Sequence, residues 1–374
     1  MHLETDINAQ KANSANASYN PVFGITKGVA IILIALGHNI YFSQLNYYLL
    51  HTFLYQFHVW IFFLLLTVYP VKALTAARVK DIIARTMVPN LYFIVFASLL
   101  YYSVINKVTF VDFLPTFMEA LIFQSPEALK EATGFHVYWF LPSFCVFSIL
   151  WLAWKEAKSA LRLTAAVILV AAHGLLGMIP ADLAPWIPLG VGPALYVLPL
   201  AVLAEPLASL ATRRSVRSFL GFGTFFLVVA TTSFSLELDV NLAMLQLYGF
   251  DNFGLMLLQD AIAVGGFLTL LSLARIIRRN RLLEIAGKYS LYIFLVHQIV
   301  FQLVWRLFPT NPSSDGMLKI VLYGVASLCL SLGCGLLFGV AIQNFSLLRM
   351  AVFPRSLRDC TMVYSVVHSR LARV

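Results

Sequence analysis

Lys27-Gly28-Val29-Ala30-Ile31-Ile32-Leu33-Ile34-Ala35-Leu36-Gly37-His38 is an apolar run framed by an amine and an imidazole, two groups that hydrocarbon tolerates poorly. A second run, Phe57-His58-Val59-Trp60-Ile61-Phe62-Phe63, follows in the next apolar segment and carries another imidazole. A histidine inside a membrane span is expensive unless something pairs with it, so two in adjacent spans point to chemistry more than to packing.

The rest of the chain agrees with a membrane location. Hydrophobic residues make up 60% of the 374 positions, charged residues only 11%, and the mean hydropathy is +0.83. No ordinary soluble domain has that composition. Apolar runs of spanning length predict helices near 22–42, 48–71, 87–105, 137–154, 162–179, 186–205, 218–236, 254–274, 289–308 and 318–343. Lipid gives the backbone no hydrogen-bond partners, and the runs are too long and too uniformly apolar for barrel strands, so an all-α polytopic bundle of about ten transmembrane helices is expected. Residues 1–21 read as a polar tail without the features of a cleavable signal, 22–345 as the membrane domain and 346–374 as a basic tail.

Basic residues favour cytoplasmic loops. Of the 26 Lys and Arg, 22 fall on one side of the expected bundle and only Lys107, Lys130, Arg306 and Lys319 on the other. Both termini are therefore expected in the cytoplasm. The net charge of +9 is explained by loops facing anionic lipid, and no compact basic domain suggests nucleic-acid binding. The four cysteines carry no metal spacing and imply no disulfide framework. The connection from Asn106 to Phe135 is long enough for a surface helix that could roof a site.

Lys27 and His38 are separated by about three helical turns and so share a face, with a cation below and an imidazole above. A cation near the cytoplasmic end suits a phosphate-bearing ligand, whereas a deeper imidazole suits a general base. His51 and His58 share a face in the second span, His58 being the deeper. His173 is expected to pack between helices. Asp260 and Arg306, near outer helix ends, are expected to pair with each other or to meet sugar hydroxyls.

These residues resemble the integral-membrane acyltransferase family three, the group that includes bacterial sugar O-acetyltransferases. Lys27 and His38 match an Arg-Gly-apolar-His pattern, and Phe57, His58, Phe62 and Phe63 a Phe-His-x-x-aromatic pattern. Arg85 and Pro89 match a basic residue ahead of a Pro, Trp139, Phe140 and Leu141 a Trp-Phe-Leu, and Gly287, Ser290, Leu291 and His297 a late Gly-x-x-Ser-Leu with a following His. The chain departs from the pattern where Lys27 replaces Arg, where Leu66 and Thr67 replace Ser-Gly, and where Gly24 replaces Asp.

The resemblance implies transfer of an acyl group, usually acetyl, from cytoplasmic acyl-CoA to a hydroxyl of a polysaccharide or lipid-linked glycan, in a bacterial cytoplasmic membrane and without a metal. It implies that His38 and His58 are catalytic, that Lys27, Lys80 and Arg85 hold the CoA phosphates, and that Trp139 and His297 meet the acceptor. Two other classes remain open on the sequence: a transporter or flippase for a lipid-linked saccharide, and a non-catalytic partner in polysaccharide assembly. The repeated, interrupted helices of many transporters are not visible in the sequence.

Overall fold

A computed structural model describes residues 20–45, 53–69, 73–102, 110–135, 137–177, 190–213, 215–235, 253–312 and 314–371. In chain order the helices are α1 (Pro21–Gly37), α2 (Ile40–Leu45), α3 (Phe53–Tyr55), α4 (Trp60–Leu64), α5 (Ala76–Leu100), α6 (Phe110–Phe123), α7 (Pro126–Thr133), α8 (Phe140–Glu156) and α9 (Ser159–Gly177). They continue with α10 (Val191–Arg213), α11 (Ser215–Ser235), α12 (Phe253–Ile277), α13 (Arg281–Lys288), α14 (Ser290–Leu307), α15 (Met317–Asn344), α16 (Ser346–Val352) and α17 (Leu357–Leu371). No strand occurs among the described residues, and seven of the described helical segments are long and apolar enough to cross a membrane. The protein is an all-α polytopic membrane bundle.

The expectation of unbroken helices fails in the first two spans. The first stops at Gly37, with His38 as its C-cap at φ −90° and ψ 6°, and restarts at Ile40. Asn39 makes the restart possible: its side-chain oxygen accepts from the Tyr41 N–H at 3.0 Å and the Phe42 N–H at 3.3 Å, as an N-cap does. Its amide nitrogen donates to the Gly324 carbonyl at 2.9 Å and to Ser327 Oγ at 3.1 Å, pinning the break to α15. The second span is not one helix but α3, a turn through His58, α4 and a 3-10 segment at Leu65–Val68. The Phe57 N–H bonds to the Leu54 carbonyl and the Phe62 N–H to the Val59 carbonyl, the tighter i to i+3 pattern that replaces α-helix geometry there.

The core packs α1 against α13 at backbone distance. Gly24 and Gly28 form a Gly-x-x-x-Gly face, and a Cβ placed on Gly28 would lie 2.0 Å from the Leu283 carbonyl oxygen. On the other side, a Cβ on Gly287 would lie 2.0 Å from the Gly24 carbonyl oxygen. Only hydrogen fits at either place, which gives a steric reason for Gly28 and Gly287 at their positions in the two motifs. Gly287 lies on α13, a helix that leads through Tyr289 directly into α14, so the same contact also sets where α14 begins.

The connection read as long enough for a surface helix forms α6 and α7 over its described residues. It is tied to α5 by Asn90, whose amide donates to Gln124 Oε1 at 2.7 Å in a buried position. The segment read from the sequence as a basic tail forms α16 and α17, and it folds back on α5. Asp81 accepts the Leu357 N–H at 3.0 Å, and Asp359 accepts the Arg355 N–H at 2.8 Å and Arg349 Nη1 at 3.2 Å.

Substituting Leu for Gly28 or Gly287 forces two helix backbones apart and costs about 1–3 kcal/mol or more. Thermal unfolding of the detergent-solubilised protein should show a clear drop for either variant. Gly221→Ala, whose new methyl group meets nothing within 4 Å, should unfold like the parent.

Candidate active site

Because α1 ends at His38 and the second span turns at His58, both imidazoles point inward from helix breaks rather than from continuous helix faces. The His38 ring lies 6.1 Å from the His58 ring and 5.4 Å from the His297 ring, centroid to centroid. Tyr55 completes the group, 5.2 Å from His38 and 4.8 Å from His58. His58 and His297 are fully buried, while His38 keeps partial exposure. Three elements distant in sequence thus deliver three imidazoles and a phenol to one point. Among the described residues, no group of three His, Cys, Asp or Glu side chains is placed to hold a metal ion.

The hydrogen bonds fix the tautomer of two of the three rings. His58 Nδ1 contacts the Leu54 carbonyl and His297 Nδ1 contacts the Phe294 carbonyl at 2.6 Å. A carbonyl oxygen only accepts, so Nδ1 donates in both rings, and in the neutral form the lone pair sits on Nε2. His297 Nε2 is buried with no hydrogen-bond partner among the described residues. His38 Nδ1 lies 2.6 Å from Tyr55 Oη, a contact in which either group can donate. The cluster therefore offers a buried proton acceptor at His297 Nε2, where a polar atom gains most from a partner.

A basic cavity of about 360 Å³ lies beside the N-terminal end of α14. Arg85, Lys288, Arg349 and Arg355 line it, together with Tyr292 and Gln343. Arg85 Nε donates to the Arg355 carbonyl, which ties α5 to the chain between α16 and α17. Arg349 is already paired with Asp359 at 3.2 Å, whereas Arg85, Lys288 and Arg355 form no ion pair with an acidic side chain among the described residues, so the lining carries surplus positive charge and suits a polyanion such as a phosphate-bearing ligand. Tyr292 at this mouth and His297 in the cluster are about 7.5 Å apart along α14.

The candidate residues divide accordingly. His38, His58 and His297 come together through His38, so His297, assigned by resemblance to the acceptor, sits against one of the two residues expected to be catalytic. Arg85 lines the basic cavity. Lys80 is exposed on α5 and Lys27 is half-buried on α1, and neither is in the lining of that cavity. Trp139 is buried at the start of α8, and its ring contact is with Phe140. The neighbouring residues reach α14, Tyr138 by donating to the Leu295 carbonyl at 3.3 Å and Phe140 by packing its ring 5.2 Å from Phe294. His51 and His136 lie outside the described residues.

Asp260 does not pair with Arg306. It accepts His173 Nε2 at 2.6 Å and Tyr196 Oη at 2.9 Å, so His173 is an interhelical residue with a carboxylate partner. Sequence reasoning missed Tyr55, Lys288, Arg349 and Arg355 as site residues. Tyr55 offered a weak signal, lying three residues before His58 and so one helical turn away. The three cations were legible only as loop and tail charge, because nothing in their spacing shows that the tail turns back.

No curated protein and no solved structure matches the chain significantly. A family model described as an acyltransferase domain matches residues 23–337, a span that contains the three imidazoles, Arg85 and Lys288. The chain therefore belongs to acyltransferase family three.

Proposed function

We propose that the protein transfers an acyl group, most simply acetyl, from cytoplasmic acyl-CoA to a hydroxyl of a polysaccharide or lipid-linked glycan in the bacterial cytoplasmic membrane. The observation that carries this reading is the joint placement of an imidazole cluster and a four-cation cavity along α14. The cavity is suited to the phosphates of CoA, which leaves the flexible thioester arm to run inward toward His38. Arg85 and Lys288 are the first candidates for the phosphate contacts, with Lys27, half-buried on α1, a further candidate cation.

In the simplest course the acceptor hydroxyl approaches an imidazole whose Nδ1 is already committed as a donor. Nε2 takes the hydroxyl proton as the new C–O bond forms at the thioester carbon. The C–S bond then breaks, and the departing sulfur takes that proton, so free CoA leaves as a neutral thiol. The alternative course passes the acyl group first to an imidazole nitrogen and then to the hydroxyl, with the same net balance. Either needs an unprotonated Nε2 and a site closed to bulk water, which would otherwise hydrolyse the thioester. The role of Tyr55 in both is to hold the His38 ring in place through the 2.6 Å contact.

Membranes containing the protein, supplied with isotopically labelled acyl-CoA, should place label in glycan. His38→Ala and His58→Ala should each lower the rate by about 100-fold or more while the protein still accumulates in the membrane. Full labelling in both variants would refute these assignments, and label remaining in CoA while lipid-linked sugar crosses the membrane would favour a transporter.

Arg85→Gln and Lys288→Gln should act on binding rather than on chemistry. Each should raise KM for acyl-CoA roughly tenfold with kcat nearly kept, the pattern of an interaction shared by ground and transition states. Steady-state kinetics in proteoliposomes tests this, and equal loss of kcat and kcat/KM would move these residues to the reacting centre.

A further inference from the structure

Away from the imidazoles, a recess of about 970 Å³ opens between α10, α11 and α12. Its walls are almost wholly apolar, with Leu200 and Leu268 buried at its floor and Leu203, Leu207 and Phe225 along its rim. Gly221 widens it, since a Cβ there would meet nothing within 4 Å. An apolar recess of this size, set within helices that cross the bilayer, does not hold water and is unfavourable as a void, so hydrocarbon is its natural content.

The two ends differ in what they offer. Arg217 and Ser218 line one end, near the start of α11. Arg217 is exposed and forms no ion pair among the described residues. At the other end, the hydrogen bonds of His173 and Asp260 are spent on each other and on Tyr196. His173 Nδ1 donates to the Tyr196 carbonyl at 3.0 Å, its Nε2 meets Asp260 Oδ2, and Tyr196 Oη donates to Asp260 Oδ1. That end presents no surplus cation, so an anionic group is favoured only at Arg217.

Length agrees with a chain lying along the recess. Close approaches of Gly265 to Phe225 and Phe226, and of Gly223 to Thr269, set α11 and α12 antiparallel. This register puts Asp260 about fourteen residues along α11 from Arg217, or roughly 21 Å. The recess is longer than the hydrocarbon of one leaflet, about 15 Å, and shorter than the full core of about 30 Å.

We infer that this recess is a binding site for a long-chain lipid whose phosphate pairs with Arg217 and whose hydrocarbon runs between α10, α11 and α12 toward His173 and Asp260. The inference goes beyond the acyltransferase reading, and its test reads binding rather than activity. The full chain in detergent is exposed to a diazirine-tagged hexadecyl phosphate and, separately, to a hexadecyl alcohol with the same tag. The phosphate probe should label peptides spanning 199–225 and 257–268 at roughly fivefold lower concentration than the alcohol, the advantage expected of one cation near a lipid phosphate.

Arg217→Gln should abolish that advantage, and Gly221→Phe, whose ring fills the recess, should abolish labelling by both probes. Leu203→Trp serves the same purpose should Gly221→Phe fail to fold. Equal potency of the two probes on the parent protein would overturn the inference. So would undiminished labelling in a folded recess-filled variant, or displacement of the phosphate probe by equimolar inorganic phosphate, which would reassign Arg217 to a free anion.

Discussion

A polar group placed among hydrocarbon must be matched inside the protein, because the bilayer offers it nothing. That constraint shapes the molecule at several scales. It makes the chain helical, so that backbone groups satisfy one another. Where the first two spans break, it demands substitutes: Asn39 supplies an acceptor for the restarted helix and reaches α15 with its amide, while i to i+3 bonds carry the second span past His58. The imidazoles obey the same rule, each ring having one nitrogen held by a nearby carbonyl or phenol. His297 keeps a buried Nε2 without a partner among the described residues, and that atom is chemical capacity.

Close packing positions that capacity. The Gly28 and Gly287 contacts bring α1 and α13 to backbone distance, and α13 leads straight into α14, which carries His297. A side chain at either glycine would shift α14 relative to α1 and with it the spacing between His297 and His38. The glycines beside Lys27 and before Ser290 are thus steric requirements of the site rather than turn formers. Departures from the family pattern at Leu66 and Thr67 fall in the 3-10 segment beyond α4, away from the imidazole rings. Thr67 there satisfies its hydroxyl locally by donating to the Leu64 carbonyl at 2.7 Å.

Charge is organised as economically as polarity. The described acidic residues near the Arg85 end brace the basic ones: Asp359 orients Arg349 and the Arg355 backbone, and Asp81 holds the start of α17. This bracing turns what would be a loose basic tail into a wall of the cavity. At the far end of the bundle His173, Asp260 and Tyr196 form a self-contained unit, which explains how an acidic side chain persists among apolar helices without a basic partner from Arg306.

Hydropathy and the spacing of charges settled the membrane location and the helical class from sequence, because burial in lipid depends on composition along a run and not on neighbours in space. His38 and His58 were also legible as candidates, since each imidazole is anomalous in its own span. Tertiary structure alone decided the rest. It broke the second span, joined His297 to the same cluster, buried Trp139 against Phe140, and drew Lys288, Arg349 and Arg355 around Arg85 while leaving Lys80 outside. Those outcomes depend on how the chain folds back on itself, through contacts between residues hundreds of positions apart, and no local pattern in the sequence encodes them.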